Sequence, residues 1–480
     1  MKKCVFSLFA ISLLCISLHA TTHTITSNSG GDGSGTFRDK FKNAGNTDII
    51  VFNIDGNDTI SLDGALSRTK GNTKITVEGI NQATGNPIVL KAKSGNSIFR
   101  SSSGTDRDNI NVTFNNLVFL NASNSSHGGA FSLGHSTHEV LASFIFSECV
   151  FENCSSSARG GAIGVNKNVS LQVENCTFYG NSAGTSGGAI SSVSTTSVIN
   201  IKNCTFYDNS TDNTGGAIYI NSDNPSVITN CTFYNNTANS GGAMFVNSIT
   251  PDSLINCTFV NNKVGSTEEG NGALYADTIN VEEPINNTVL INCIVSGTTE
   301  TSLGNAVTDV YGKKIMLKNC IVQTTDESVS TGYITNPVTY ASSVFPSGTP
   351  ELKDNGGFTQ TIAISKTGAA FQTGTTEDNI PETDQRGIAR NVTPCIGAYE
   401  AEVLTGQQSP GQTITVAVNN REISFISGKS GLATIYNLAG EILFEKYSSG
   451  NITYTAPYTG IYIVRFIEGG NIFKRKIVIK

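Results

Sequence analysis

The chain has 480 residues, of which 14% are charged and 49 are glycine, with no tryptophan and a formal net charge of −7. It is long enough for a large core, and its low, acidic charge excludes the basic stripe that nucleic-acid binding requires. Few charges with much Gly, Asn, Ser and Thr suit a fold with many uncharged turns.

Met1-Lys2-Lys3, the apolar run Cys4 to Leu18 and the ending Leu18-His19-Ala20 read as a secretory signal peptide over 1–20, cut between Ala20 and Thr21. Cys15 follows Leu14 rather than a small residue, which argues against a lipoprotein anchor. No other stretch could span a bilayer as a helix. After the glycine-rich Gly30 to Gly35, Phe37, Phe41 and Ala44 share one face of a short helix. Such a helix would cover the open end of a stacked core. Asp48 to Phe52 and Lys74 to Val77 are the first strands.

The middle of the chain repeats. Cysteines 176, 204, 231 and 257 each sit in Asn-Cys-Thr-Phe, spaced 28, 27 and 26 residues apart. Gly-Gly-Ala begins at 128, 160, 187, 215 and 241, and weaker copies of the cysteine motif follow at Cys293 and Cys320. Period-two alternation runs through each unit: Leu171, Val173 and Asn175 share one face, Cys176 and Phe178 another, with Thr177 and Tyr179 opposite. Three short strands separated by Gly/Asn/Ser turns describe one coil of about 27 residues. The fold class is therefore all-β, a right-handed parallel β-helix (a solenoid) followed by a small C-terminal β-sandwich. Successive coils lie about 4.8 Å apart, so each position becomes a ladder of like residues. Seven of the nine cysteines beyond the leader share one rung position, which implies a buried thiol stack rather than disulfides. Gly-Gly marks a corner needing unusual backbone angles or close packing. Asn175, Asn203, Asn230 and Asn256 are expected to form an inward amide ladder, with solvent-facing turn asparagines as the alternative.

The opening segment, residues 24–77, resembles the N-terminal caps of exported bacterial right-handed β-helix proteins. The Gly-Gly-Ala-Ile and Phe-x-x-Asn repeats resemble those of chlamydial polymorphic outer-membrane proteins, whose passenger region alone is covered by the likeness. Leu352 to Thr361, Asp384-Gln385-Arg386-Gly387, Arg390 and Ile396-Gly397-Ala398-Tyr399-Glu400 resemble the choice-of-anchor Q family, with Cys395 standing where an aspartate often precedes Ile-Gly-Ala. That resemblance implies an exported β-helix over 21–400 closed by this block. Asp384, Arg386 and Glu400 then read as catalytic or, preferably, as a salt-bridged cap.

Residues 401–412, including Gln407-Gln408-Ser409-Pro410-Gly411-Gln412, form a linker. In 413–480 alternating strands recur at roughly ten-residue spacing with turn glycines, indicating a small sandwich. Its ending, Lys474-Arg475-Lys476-Ile477-Val478-Ile479-Lys480, resembles the type IX secretion sorting domain of Bacteroidota. The resemblance implies that the type IX machinery is a partner and that the product crosses the outer membrane to the cell surface or the medium.

Chemistry is sparse in the regular coils. Acids at Glu174, Asp208, Asp212, Asp223 and Asp252 do not repeat at coil spacing, so no paired carboxylates for glycoside hydrolysis line up. No cofactor and no metal centre is expected, although His127, His135, His138 and Glu139 cluster in one loop. Two outward ladders are candidate ligand contacts: Thr177, Thr205 and Thr232, continued by Thr258, beside Tyr179, Tyr207 and Tyr234. Hydroxyls and rings suit surface or host glycans, but such ladders also simply suit β-structure. Two readings stay open: a non-catalytic, adhesin-like or glycan-contacting surface protein, or a polysaccharide lyase or glycosidase with its site in the irregular coils at 45–110 or 275–350.

Overall fold

The computed structural model describes residues 20–401 and 414–479, interrupted chiefly at 68–72, 102–109, 135–140, 266–270, 277–287 and 326–333. Among these residues the first unit is a parallel β-solenoid whose coils build four sheets of 12, 11, 8 and 7 strands.

One coil shows how the sequence closes on itself. Val169–Glu174 lies in the 12-stranded sheet and Thr177–Tyr179 in the 11-stranded one. Ser182–Ala183 belongs to the seven-stranded sheet and Ile190–Ser192 to the eight-stranded one. The coil thus has four strands, one more than alternation alone suggests, because a two-residue strand carries no readable period. Asn175 makes the first bend at φ 55° and Gly180 the second at φ 64°. Gly187 and Gly188 play different parts at the third. Gly187 has φ 62°, whereas a Cβ on Gly188 would stand 2.1 Å from the carbonyl oxygen of Gly216 in the next coil.

Stacking is in register, like on like. Thr177, Phe178 and Tyr179 pair with Thr205, Phe206 and Tyr207, and these with Thr232, Phe233 and Tyr234. The phenylalanine rings inside stack at 4.8 Å and 5.0 Å. Cys149, Cys176, Cys204, Cys231, Cys257, Cys293 and Cys320 are all free and buried. Within this file the amide of Cys176 donates to the sulfur of Cys204 at 3.4 Å, and that of Cys293 to Cys320 at 3.4 Å. Each sulfur in turn donates to carbonyls, as Cys176 does to Glu174 at 3.2 Å. Burial pushes the Cys149, Cys176, Cys257, Cys293 and Cys320 thiols well above their ordinary pKa, which keeps them protonated and poorly nucleophilic.

The inward amide ladder exists, on other asparagines than expected. Asn181 donates to Asn209 at 2.9 Å, Asn209 to Asn236 at 2.9 Å and Asn236 to Asn262 at 3.0 Å, all buried. Each of these side chains also caps a carbonyl of the preceding coil, as Asn209 does for Phe178. Asn175, Asn203, Asn230 and Asn256 take the left-handed bend, at φ 52–56°, and one rung of the ladder expected of them forms, Asn230 donating to Asn203 Oδ1 at 3.2 Å. Asparagine tolerates that region better than most residues.

The N-terminal helix spans Phe37–Asn43, with the Thr36 side chain accepting from the Asp39 amide. Phe37 and Phe41 are fully buried; Phe41 stacks on Phe114 and meets Phe99, so the helix plugs the bore.

The C-terminal unit consists of a three-stranded sheet (Ile414–Asn419, Glu422–Ser427, Ile452–Thr455) and a four-stranded sheet (Gly431–Tyr436, Ile442–Ser448, Gly460–Glu468, Asn471–Ile479), each antiparallel. Ile423, Phe425, Ile435, Val464, Phe466 and Ile477 share its core.

Candidate functional site

The outer face of the 11-stranded sheet carries the candidate threonine and tyrosine files. Thr177, Thr205, Thr232 and Thr258 form one column, which continues as Ile294 and Ile321. Tyr179, Tyr207 and Tyr234 form the next, followed by Val260. Outward aliphatic side chains require cover, and residues 340–401 supply it. Val344, Phe345, Ile362, Ile364, Ala370, Cys395 and Ile396 make a second core with Val260, Ile294 and Ile321.

This segment is the block that resemblance assigns to closing the solenoid. It lies along the flank as a strap that doubles back on itself, reaching Asn203 at Thr359, Asn319 at Thr373 and Asn230 again at Thr383. Thr359 donates to the carbonyl of Asn203, Asn230 to that of Thr383, and Asn256 to that of Cys395. Asn292 donates to Thr375 and Asn319 to Thr373. Gly397 packs so closely that a Cβ would lie 2.8 Å from Ile294 and from Thr258.

The strap consumes part of the threonine file. Gln385 sits over two rungs: its Oε1 accepts from Thr232 at 2.6 Å, and its Nε2 donates to Thr205 Oγ1 at 2.7 Å and to Thr359 Oγ1 at 2.9 Å. Thr258 Oγ1 accepts from the Ala398 amide at 2.9 Å. Thr205 and Thr232 are therefore at 0% exposure. They do not join a continuous free ladder, because an intramolecular partner already holds their hydroxyls. Thr177, Tyr179, Tyr207 and Tyr234 keep partial exposure. The Tyr179 and Tyr207 rings stack 5.0 Å apart and 1° from parallel, so each spends a face on the other. The file shows edges and hydroxyls outward more than open ring faces.

Asp384 and Glu400 lie within the strap, each held by an arginine of the same segment. Asp384 is 2.7 Å from Arg386 Nη2 and also accepts from the amides of Arg386, Ile388 and Glu400 at 2.8–3.0 Å. Glu400 is 3.0 Å from Arg390 Nη1 and accepts from the Cys395 amide at 2.9 Å and Asn391 Nδ2 at 2.6 Å. Arg390 reaches the solenoid at Asn230 Oδ1, 2.8 Å away, and Arg386 lies 3.6 Å over the Tyr399 ring. Every oxygen of both carboxylates has donors, so neither is poised to exchange a proton with a substrate. Together they brace the strap.

Other candidates separate. His127 Nδ1 is 2.7 Å from Ser126 Oγ, and burial followed by the nearby Arg159 lowers its pKa. His135, His138 and Glu139 lie outside the described residues. No set of three or more His, Cys, Asp and Glu among the described residues is placed to hold a metal. No helix there is long and apolar enough to cross a membrane.

A second outward ladder escaped the sequence reading. Tyr219, Phe245, Tyr275 and Tyr311 stack at 5.6, 4.5 and 5.1 Å on the eight-stranded sheet. The signal was present at the third residue after the Gly-Gly pairs at 215 and 241, between the inward residues Ile218/Ile220 and Met244/Val246.

Residues 175–193 and 203–221 match the model of the Chlamydia polymorphic membrane protein repeat. The two matched stretches begin at the left-handed Asn175 and Asn203 and run through the cysteine rung to the residues beyond Gly-Gly-Ala. No curated protein matches the chain.

Proposed function

We propose that this is an exported, surface-displayed β-helix that acts as a non-catalytic binding scaffold, adhesin-like and glycan-contacting. The match of two successive coils to a polymorphic membrane protein repeat carries the reading. Delivery would use the leader at 1–20 and the type IX machinery acting on 413–480, with 401–412 as the connecting linker. A glycan ligand would meet Thr177 and the hydroxyl edges of Tyr179, Tyr207 and Tyr234, the part of the flank that the strap leaves partly open.

The enzymatic alternative is less well supported by the acids in the irregular coils. Asp58 accepts from Asn81, Thr84 and Asn86. Asp309 accepts from the amides and hydroxyls of Thr298 and Thr324. Asp63 pairs with Lys93. These are bracing interactions like those of the strap.

A glycan array on the mature chain, run beside a polysaccharide-degradation assay, tests the reading. Saturable glycan binding that weakens on Tyr179→Ala, without product formation, is the expected result. Release of oligosaccharides would overturn it.

A further inference from the structure

We propose that removal of the leader after Ala20 turns the Thr21 nitrogen from an amide into an ammonium that Asp48 captures, so that processing itself locks the first coil. The inference rests on the signal-peptide reading and extends it to a structural consequence of the cut.

The acceptor is already in place. The Thr21 nitrogen donates to Asp48 Oδ1 at 3.0 Å. Its position is set by the sheet: the Thr21 carbonyl accepts from the Ile49 amide at 2.9 Å, and Thr22–Ile25 pairs in register with Ile49–Phe52. Cutting the preceding bond therefore leaves the nitrogen where it stands. Asp48 is nearly buried, its side chain 10% exposed. Its Oδ2 accepts from the Gly45 amide at 2.6 Å and from His23 Nε2 at 2.7 Å. Burial alone would raise its pKa, but the bonds from His23, Gly45 and Thr21 outweigh it and hold the carboxyl below its usual range.

A carboxylate so sheltered gains more from a full charge than from an amide dipole. An α-amino group is largely protonated at neutral pH, and charge-assisted hydrogen bonds are about twice as strong as neutral ones. The strand concerned ends the 12-stranded sheet, where fraying starts. Ala20 and Thr21 are both exposed, so a peptidase can reach the bond without disturbing the coil.

The test compares two full mature chains, one beginning at Thr21 and one keeping Ala20 behind a short uncharged extension, each with Asp48 and with Asp48→Asn. Hydrogen exchange is read over residues 22–25 and 49–52. The free Thr21 end should slow exchange about fivefold with Asp48 present, and the difference should vanish with Asp48→Asn. Equal exchange in the two Asp48 chains, a comparison that does not depend on the variant folding, overturns the lock. Persistence of the difference in Asp48→Asn does so too. N-terminal sequencing of the exported protein should give Thr21; another first residue overturns the processing step itself, a failure distinct from loss of the lock.

Discussion

Gln385 Oε1 accepts a hydrogen bond from Thr232 Oγ1 at 2.6 Å, across 153 residues of chain. The contact links the strap to a coil that never touches it in sequence, and it explains why two outward threonines are dry.

Replacing Gln385 with alanine should strand the buried hydroxyl of Thr232 and loosen the strap, while the Thr205 hydroxyl keeps its bond to the Gln360 carbonyl. The expected cost is about 1–3 kcal/mol, from one unsatisfied group. Limited proteolysis would then cut within 352–401 while the solenoid resists. Unchanged protease resistance would show that the apolar contacts of Val344, Ile362 and Ile396 hold the strap unaided.

The two kinds of asparagine should respond oppositely. Asn209→Ala removes a rung of the inner ladder and leaves Asn181 without its acceptor, costing about 2–4 kcal/mol. Asn175→Gly sits in a left-handed bend, φ 55°, that glycine adopts freely, and should change stability by less than about 1 kcal/mol. Urea unfolding of the two variants measures the contrast.

Asp252 gives a pH test. Burial raises its pKa to about 6, only partly offset by the hydrogen bond from the Ser226 amide. Its Oδ1 accepts from the Ser226 amide at 2.7 Å, while Oδ2 and the Ser226 hydroxyl are unpaired. The fold therefore favours the protonated acid. Its stabilising effect is full below about pH 4, the unfolded value, and is lost as pH rises through about 6. The difference corresponds to about 3 kcal/mol of local stability. Hydrogen exchange around 226–228 and 253–255 should speed up across that window, and Asp252→Asn should flatten the profile.

The braces within the strap should behave as structure. Glu400→Gln leaves the buried Arg390 without its counter-charge and should cost about 3–5 kcal/mol. Replacing the pair together, Arg390→Met with Glu400→Gln, should recover much of that loss. Calorimetry on the single and double variants decides; a double variant no more stable than Glu400→Gln would show that the pair is not the brace.

The solenoid was legible because stacking demands the same residue at the same place in every coil, and Cys176, Cys204, Cys231 and Cys257 meet that demand in plain sight. The asparagines were harder, since a left-handed bend and an inward amide ladder favour the same residue. The substitutions in earlier coils separate them: Glu148 stands at the bend position, where a charge can face outward, and Cys154 stands at the head of the inner ladder, where only a compact side chain fits. The strap was recognised as a block but not located, because its anchoring bonds span from 54 to 156 residues and obey no period. Its docking face was nonetheless written in the outward column, where Thr258 gives way to Ile294 and Ile321.

A strap fastened at Asn203, Asn230, Asn256, Asn292 and Asn319 works as a ruler. Its folded path must match that run of coils, so an inserted or deleted repeat between Asn203 and Asn319 would leave its anchors out of step. None of these five bonds lies upstream of Asn203, and whole repeats gained or lost there would leave the five in step. Variation in the length of this molecule is thereby channelled toward its N-terminal half.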